Sequence, residues 1–309
     1  MTEFLSVILP TYNPHASRLL QTISGLKVQT LPFASWELII VDNNSAPAVN
    51  IDLSWHPNHK IVKEAKPGLT HARLKGFEQA SGAIIVMVDD DNVLDKDYLK
   101  NTLSLFGKSS TLGAIGGKSM PLFESPPPLW LNEFYGSLAL RDLGDEPIIS
   151  TWKNEYPNSA PIGAGMGIRI TALGAYIDKI KASGSIISDR TGNELTSGGD
   201  NDMVIEILRS GWQVGYFPSL QLHHIIPEQR MQVNYLARLL NNTNRSWIQV
   251  LEKHHINPWK KVNGFTVPFR KTKAWFTYRA WQSAANYIKW QGACGLFDGL
   301  ATIKTNAKT

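Results

Sequence analysis

Residues 83–91 read AIIVMVDDD, six apolar residues followed at once by three carboxylates. An unbroken apolar run this short fits a strand covered on both faces. Asp89, Asp90 and Asp91 repel one another, so placing them together at the end of a buried strand costs stability. A divalent cation would offset that cost. Hard ions such as Mg²⁺ or Mn²⁺ take carboxylate oxygens and leave room for phosphate oxygens. If the chain stays extended here, alternation puts Asp89 and Asp91 on the same side. The plain alternative is a solvated turn leading into a helix that starts at Asp95.

Outward from this stretch the pattern repeats. Residues 6–10 (SVILP) and 36–41 (WELIIV) are two more short apolar runs, and residues 16–30, 70–80 and 95–106 have helical spacing. Strands alternating with helices predict an α/β fold with a mostly parallel central sheet flanked by helices. The functional groups of such a fold lie where strands end. Here those ends carry Thr11-Tyr12-Asn13, Asp42-Asn43-Asn44 and the three aspartates. Further on come a proline-rich loop (124–130), a glycine-rich loop (158–167) and a helix over 198–212 with an acidic start. A strand over 213–222 then runs into His223-His224.

Composition narrows the function. In 309 residues, 43% hydrophobic and 18% charged content excludes general disorder, and one cysteine, Cys294, excludes an internal disulfide. No signal peptide is recognised, and no apolar run approaches the roughly 18 residues that span a bilayer. The expectation is a cytoplasmic protein, peripheral at most on the inner face of a membrane. The net charge of +5 hides a split. Residues 231–309 hold 12 Lys/Arg against Glu252 and Asp298, while residues 1–230 hold 19 against 24. The tail is also rich in aromatics, among them Trp275, Phe276, Tyr278, Trp281, Tyr287 and Trp290. Cations interleaved with rings suit an anionic membrane surface, while a helical cap on the main domain is the plain alternative. No nucleic-acid motif accompanies them. The pair His254-His255 reads as ordinary surface.

Taken in order, SVILPTYN, IIVDNNS, GLTHARLKGFEQASGAIIVMVDDD, PIGAGMGIR, GGDNDMVIEILRSGW and HHIIP resemble family 2 glycosyltransferases of the GT-A fold. The resemblance covers roughly residues 4–230. It implies a nucleotide-diphospho-sugar transferase domain over 1–230 and leaves 231–309 as a helical extension. The implied reaction is metal-dependent, inverting transfer of one sugar to a glycan acceptor. With the basic tail, a lipid-linked acceptor in polysaccharide biosynthesis is expected.

The resemblance also assigns roles. Thr11 and Tyr12 would line the nucleoside pocket, and Asp42 would accept from the base, with a turn-forming role as its alternative. Lys66 and Arg73 would meet the diphosphate. Asp89, Asp90 and Asp91 form the DxD motif: Asp91 would hold Mn²⁺ or Mg²⁺, with Asp89 and Asp90 on the donor side. Asp200 would be the general base that takes the acceptor's proton. Gly199 stands where the family usually has glutamate, and Asp202 is a second carboxylate that could serve the acceptor. His224 would complete the metal shell within His224-Ile225-Ile226-Pro227-Glu228-Gln229-Arg230, and Arg230 would clamp the diphosphate. Gly165, in the run Gly163–Gly167, would let backbone approach the donor sugar. Trp130 would stack on an acceptor ring or simply anchor its loop. The donor expected is a UDP-sugar. A sugar nucleotidyltransferase would need a glycine-rich basic loop after the first strand, where TYNPHAS stands instead. A non-catalytic nucleotide-sugar binder would not need the carboxylates.

Overall fold

The computed structural model describes residues 4–183 and 198–303, with only the backbone at 183. They form two compact units. One comprises residues 4–122, 139–183 and 199–226; the other comprises 123–138, 198 and 227–303.

The first unit is an α/β domain. In chain order it runs β1 (Leu5–Thr11), α1 (Ala16–Lys27), β2 (Trp36–Asp42), β3 (His59–Lys63), α2 (Leu69–Gln79), β4 (Ile84–Met87) and β5 (Asn92–Leu94). It continues α3 (Tyr98–Lys108), β6 (Leu112–Phe123), β7 (Ile148–Ser150), β8 (Gly167–Arg169), α4 (Ile170–Ser183), α5 (Gly199–Arg209) and β9 (Gln213–Ile226). Among the described residues these make one nine-stranded sheet, in the order β3-β2-β1-β4-β8-β6-β9-β5, with β7 also on β9.

β1, β2 and β4 are buried along their whole length. Their successive residues feed two cores. Val7, Leu9, Leu38 and Ile40 pack with α1 and α3 through Leu19, Ile23, Leu26 and Phe106. Ile8, Ile39, Val41 and Met87 pack with α2, α4 and α5 through Phe77, Leu173, Met203 and Ile207. This explains the unbroken apolar strands, since both faces are covered. Each such side chain contributes about 1.5–3 kcal/mol of burial.

The parallel arrangement expected for the sheet holds in one half, β3-β2-β1-β4. β4–β8, β6–β8, β5–β9 and β7–β9 are antiparallel, so the sheet is mixed. In the second half β9 matches the strand expected over 213–222, while β5, β7 and β8, of three residues each, and β6 were not read. β3 was not read either, being an edge strand exposed at alternate positions.

The second unit is helical: a 3₁₀ segment over Leu129–Leu138, then α6 (Val233–Lys253), α7 (Val267–Thr277) and α8 (Ala284–Thr302). α6 and α8 approach closely along Gly292, Gly295 and Gly299 of α8; a Cβ on Gly295 would lie 1.9 Å from the Asn241 carbonyl oxygen. Asn241 and Asn244 donate back to the carbonyls of Gln291 and Gly292, at 3.0 Å each. α7 meets α8 through Trp275 edge-on to Trp290 and through the Lys271–Asp298 ion pair at 2.8 Å. Among the described residues no helix is long and apolar enough to cross a membrane. His254-His255 corrects the surface reading of that pair. His254 caps the C-terminus of α6 and is buried, while His255 turns away with φ 58° and is exposed.

Candidate active site

The site of the first unit is built where β1, β2 and β4 end. Asp42, the last residue of β2, is buried; its oxygens accept from the amides of Ser45 (2.8 Å) and Val49 (3.0 Å). Burial pushes its carboxyl up, but the Ser45 and Val49 hydrogen bonds and the nearby Lys63 outweigh that, so the group titrates below the usual range. Asp42 therefore organises the loop after β2, the turn-forming alternative. Asn43 performs the matching task one residue on. Its side chain donates to the Lys66 carbonyl (2.6 Å) and accepts from the Gly68 amide (2.8 Å). Lys66 is thereby held in a fixed loop, with its own side chain exposed. Asn13 and Asn44 both adopt positive φ, and the two loops are tied where the Asn13 amide donates to Ser45 Oγ (2.9 Å). Tyr12 is exposed beside them, while Thr11 is buried and donates to Asp90 at 2.5 Å.

The three aspartates do not continue the strand. β4 stops at Met87, and the Asn92 amide donates to the Asp89 carbonyl (3.0 Å), closing a turn. The alternation that was to align Asp89 with Asp91 therefore does not operate. The residues separate by environment instead: Asp89 and Asp90 are half-buried and Asp91 is buried. Asn92 fixes the turn, donating to Asp91 Oδ1 (3.1 Å) and accepting from the Asp89 amide (3.3 Å).

β5 starts at Asn92 and pairs with β9 so that Asn92 faces His224. That register brings His224 Nε2 to 3.4 Å from Asp91 Oδ2, with both side chains about nine-tenths buried. His223 points the other way and is exposed, as strand alternation requires. A buried carboxylate and a buried imidazole converging on one point suit a divalent ion of the Mn²⁺ type. Two ligands held about 2.1 Å from one ion lie roughly 3–3.5 Å apart, which matches this pair.

Arg73 joins this corner to the start of α5. Its side chain is only 3% exposed, donating to Asp200 and lying 3.3 Å from Asp89. Sequence reasoning placed Arg73 on the diphosphate; the structure places it between the carboxylate of the aspartate cluster and the candidate base, 16 and 127 residues away. Gly163 makes the pair possible, since a Cβ there would sit 1.9 Å from Asp200 Oδ2 and 2.9 Å from Arg73 Nη2. Gly165 has φ 74° and its carbonyl accepts from Tyr98 (2.6 Å), and a Cβ would strike both Tyr98 and Leu222. Arg141 donates to the carbonyls of Asn158 and Ala160, holding the start of this loop. Asp202 is buried in α5, whereas Asp200 keeps a quarter of its side chain exposed.

Asn43, Asn92, Arg141 and Gly163 were not recognised in the sequence. Asn43 sat inside Asp42-Asn43-Asn44, Asn92 directly follows the three aspartates and Gly163 opens the glycine-rich run; nothing local marks Arg141. Arg230 and Trp130 belong to the second unit. Arg230 lies in the turn Glu228–Met231, and Trp130 is half-buried, edge-on to Phe134.

An α/β sheet ending in this carboxylate and histidine cluster, with helices after it, defines a domain of the GT-A glycosyltransferase fold. Residues 6–152 match the family model Glycosyl transferase family 2. Glycosyltransferase AglE of Haloferax volcanii is 29% identical over 119 residues, 37% of this chain and 38% of AglE. The glucosyl-dolichyl phosphate glucuronosyltransferase of the same organism is 20% identical over 240 residues, 75% of this chain and 72% of that protein. The chain spans 11% of a Sinorhizobium fredii relative, so it covers well under half of some relatives' length. Among solved structures, the mannosyltransferase PcManGT of Pyrobaculum calidifontis, in complex with GDP-Man and Mn²⁺, superposes with TM-score 0.56 at 18% identity, over 99% of this chain and 77% of that one. TarS 1–349 of S. aureus in complex with UDP gives 0.52 at 14% identity, over 96% and 90%.

Proposed function

We propose that this chain transfers one sugar, with inversion, from a nucleotide-diphospho-sugar to a glycan acceptor. The observation that carries the proposal is the buried Arg73 joined to both Asp89 and Asp200, in the same unit as the Asp91–His224 pair. A relative named for a dolichyl phosphate substrate supports a lipid-linked acceptor in polysaccharide biosynthesis. Solved neighbours holding UDP or GDP-Man with Mn²⁺ support a donor of that kind, a UDP-sugar being our expectation.

In this reading Asp91 and His224 would hold the divalent ion, with Asp89 and Asp90 turned to the donor. The ion would neutralise charge building on the departing diphosphate. Asp200 takes the proton from the acceptor hydroxyl as that oxygen attacks. Arg73 favours the ionised form of Asp200, which a base requires, yet it also weakens the base. An arriving diphosphate competes for the same guanidinium, which would loosen Arg73 from Asp200 only when donor is present. Thr11 and the loops held by Asp42 and Asn43 form the nucleoside side, with Tyr12 and Lys66 exposed for contact. The glycines at 163 and 165 let the loop backbone close onto Asp200, Arg73 and Tyr98.

The test is donor turnover with and without chelator, in wild type and in Asp91→Ala. Wild type should lose activity in EDTA and regain it with Mn²⁺, and the variant should fall to the chelated level. An Asp91→Ala protein working at the wild-type rate in EDTA would sink the metal reading.

A further inference from the structure

We propose that the solvent face of α7 is a docking surface for the anionic face of a lipid bilayer, entered by Phe269 and Phe276 and steered by Lys273, Arg270 and Arg279. The packed side of α7 is defined by Val267 and Ala274, both buried, and by Lys271, which is paired with Asp298. At 3.6 residues per turn, Phe269 and Phe276 fall on the opposite side, with Lys273 beside Phe269. The phenyl rings are 76% and 63% exposed. Phe265, in the turn leading into α7, is 89% exposed, and Trp281 just after the helix is 55% exposed. Phe276 lies edge-on to Trp281, and the pair is still largely exposed, as is Phe269; a cluster of exposed rings marks a contact surface.

Charge selects the occupant. Residues 253–297 contain eight Lys/Arg and no Asp or Glu. Lys271 pairs with Asp298 and Lys289 with Glu133. Lys273, Arg270 and Arg279 are exposed around the rings. A second copy of this chain would bring the same cations against themselves, a repulsive arrangement for a two-fold contact. An anionic bilayer supplies the opposite charge and an apolar layer for the rings, with cations at headgroup level. The inference is independent of the transfer reaction and survives or fails without it.

The experiment is sedimentation of the full chain with phosphatidylcholine vesicles, with and without phosphatidylglycerol. Wild type should pellet with the anionic vesicles only, and less in high salt. The double variant Phe269→Ser/Phe276→Ser should bind about tenfold or more weakly, and so should Lys273→Gln/Arg279→Gln. Melting temperature and donor hydrolysis without vesicles serve as controls for folding, and both should stay close to wild-type values. Equal recovery of wild type with and without anionic vesicles overturns the proposal. So does equal binding by the phenylalanine variant, which would leave a purely electrostatic contact. A wild-type dimer in solution that the phenylalanine variant abolishes overturns it in favour of self-association.

Discussion

The two units handle charge in opposite ways. In the first, charges at the site are buried or half-buried and matched: Arg73 to Asp89 and Asp200, His224 to Asp91, Thr11 to Asp90. In the second, the cations around α7 are exposed and surrounded by exposed rings. Buried, matched charge is specific to geometry, because each group's desolvation is offset only by partners at fixed distances. Exposed charge on a helix face is specific only to sign and is weakened by salt. The first arrangement suits chemistry at one point and the second suits attachment to a surface.

Breaking the first unit's geometry should have the largest effects. Asp200→Asn should lower transfer by about 10²–10⁴-fold, the usual contribution of a positioned base, while donor binding measured by thermal shift persists. Unchanged turnover would remove Asp200 from the role. Gly163→Ala should act through the same carboxylate. The added Cβ meets the far end of the Asp200 side chain, which can swing aside. Activity should therefore fall at least tenfold, mostly in kcat, with little loss of melting temperature. A large loss of stability with normal kcat would show that the loop, and not Asp200, absorbs the methyl group.

Arg73 tests whether matching itself holds the fold. Arg73→Met leaves Asp89 and Asp200 facing each other without their shared cation. The expected cost is about 3 kcal/mol, at the low end for a broken buried pair because both carboxylates keep a water-facing side. Arg73→Lys keeps the charge but not the fork that reaches two carboxylates, so it should fall in between. Denaturant unfolding measures both, and equal stability of Met and Arg would mean the network does not hold the domain.

His56 extends the contrast away from the site. It is fully buried among Phe33, Trp36 and Trp55, and its imidazole titrates at about 4 rather than 6.5, mainly through burial and secondarily through nearby His59. Its folded value is depressed, so the unfolded chain takes the proton first as pH falls. Stability from this residue is complete above about pH 6.5 and declines between 6.5 and 4. Near pH 5 the loss should be about 1–2 kcal/mol. His56→Phe should remove that part of the acid slope, and an unchanged slope would place it elsewhere.

What the sequence made legible follows the same physics. β1, β2 and β4 were readable because burial on both faces makes them almost entirely apolar. The aspartates were readable because three adjacent carboxylates need a reason. The link from Arg73 to Asp200 was not, since it spans 127 residues and depends on a glycine whose importance is only steric. The meeting of Asp91 and His224 was expected from the resemblance alone, because its physical cause is the register of a three-residue strand that the residues themselves do not announce. Charge counting revealed a basic tail but not that residues 123–138 fold with it, as those residues carry little net charge.

The smallest expected effect belongs to α7. Phe269→Ser removes a ring that is 76% exposed, while Phe276→Ser also removes an edge-on contact with Trp281; Phe and Ser have nearly equal helix propensity. Folding stability should therefore change by less than about 0.5 kcal/mol for Phe269→Ser and by about 1 kcal/mol for Phe276→Ser, against about 3 for Arg73→Met in the first unit. The comparison is sharp because a buried phenylalanine ordinarily carries as much as a buried, paired arginine. A loss above about 1 kcal/mol for Phe269→Ser would mean that the face is covered in the folded chain. The contrast between the units would then collapse, since both would be holding matched, interior surfaces.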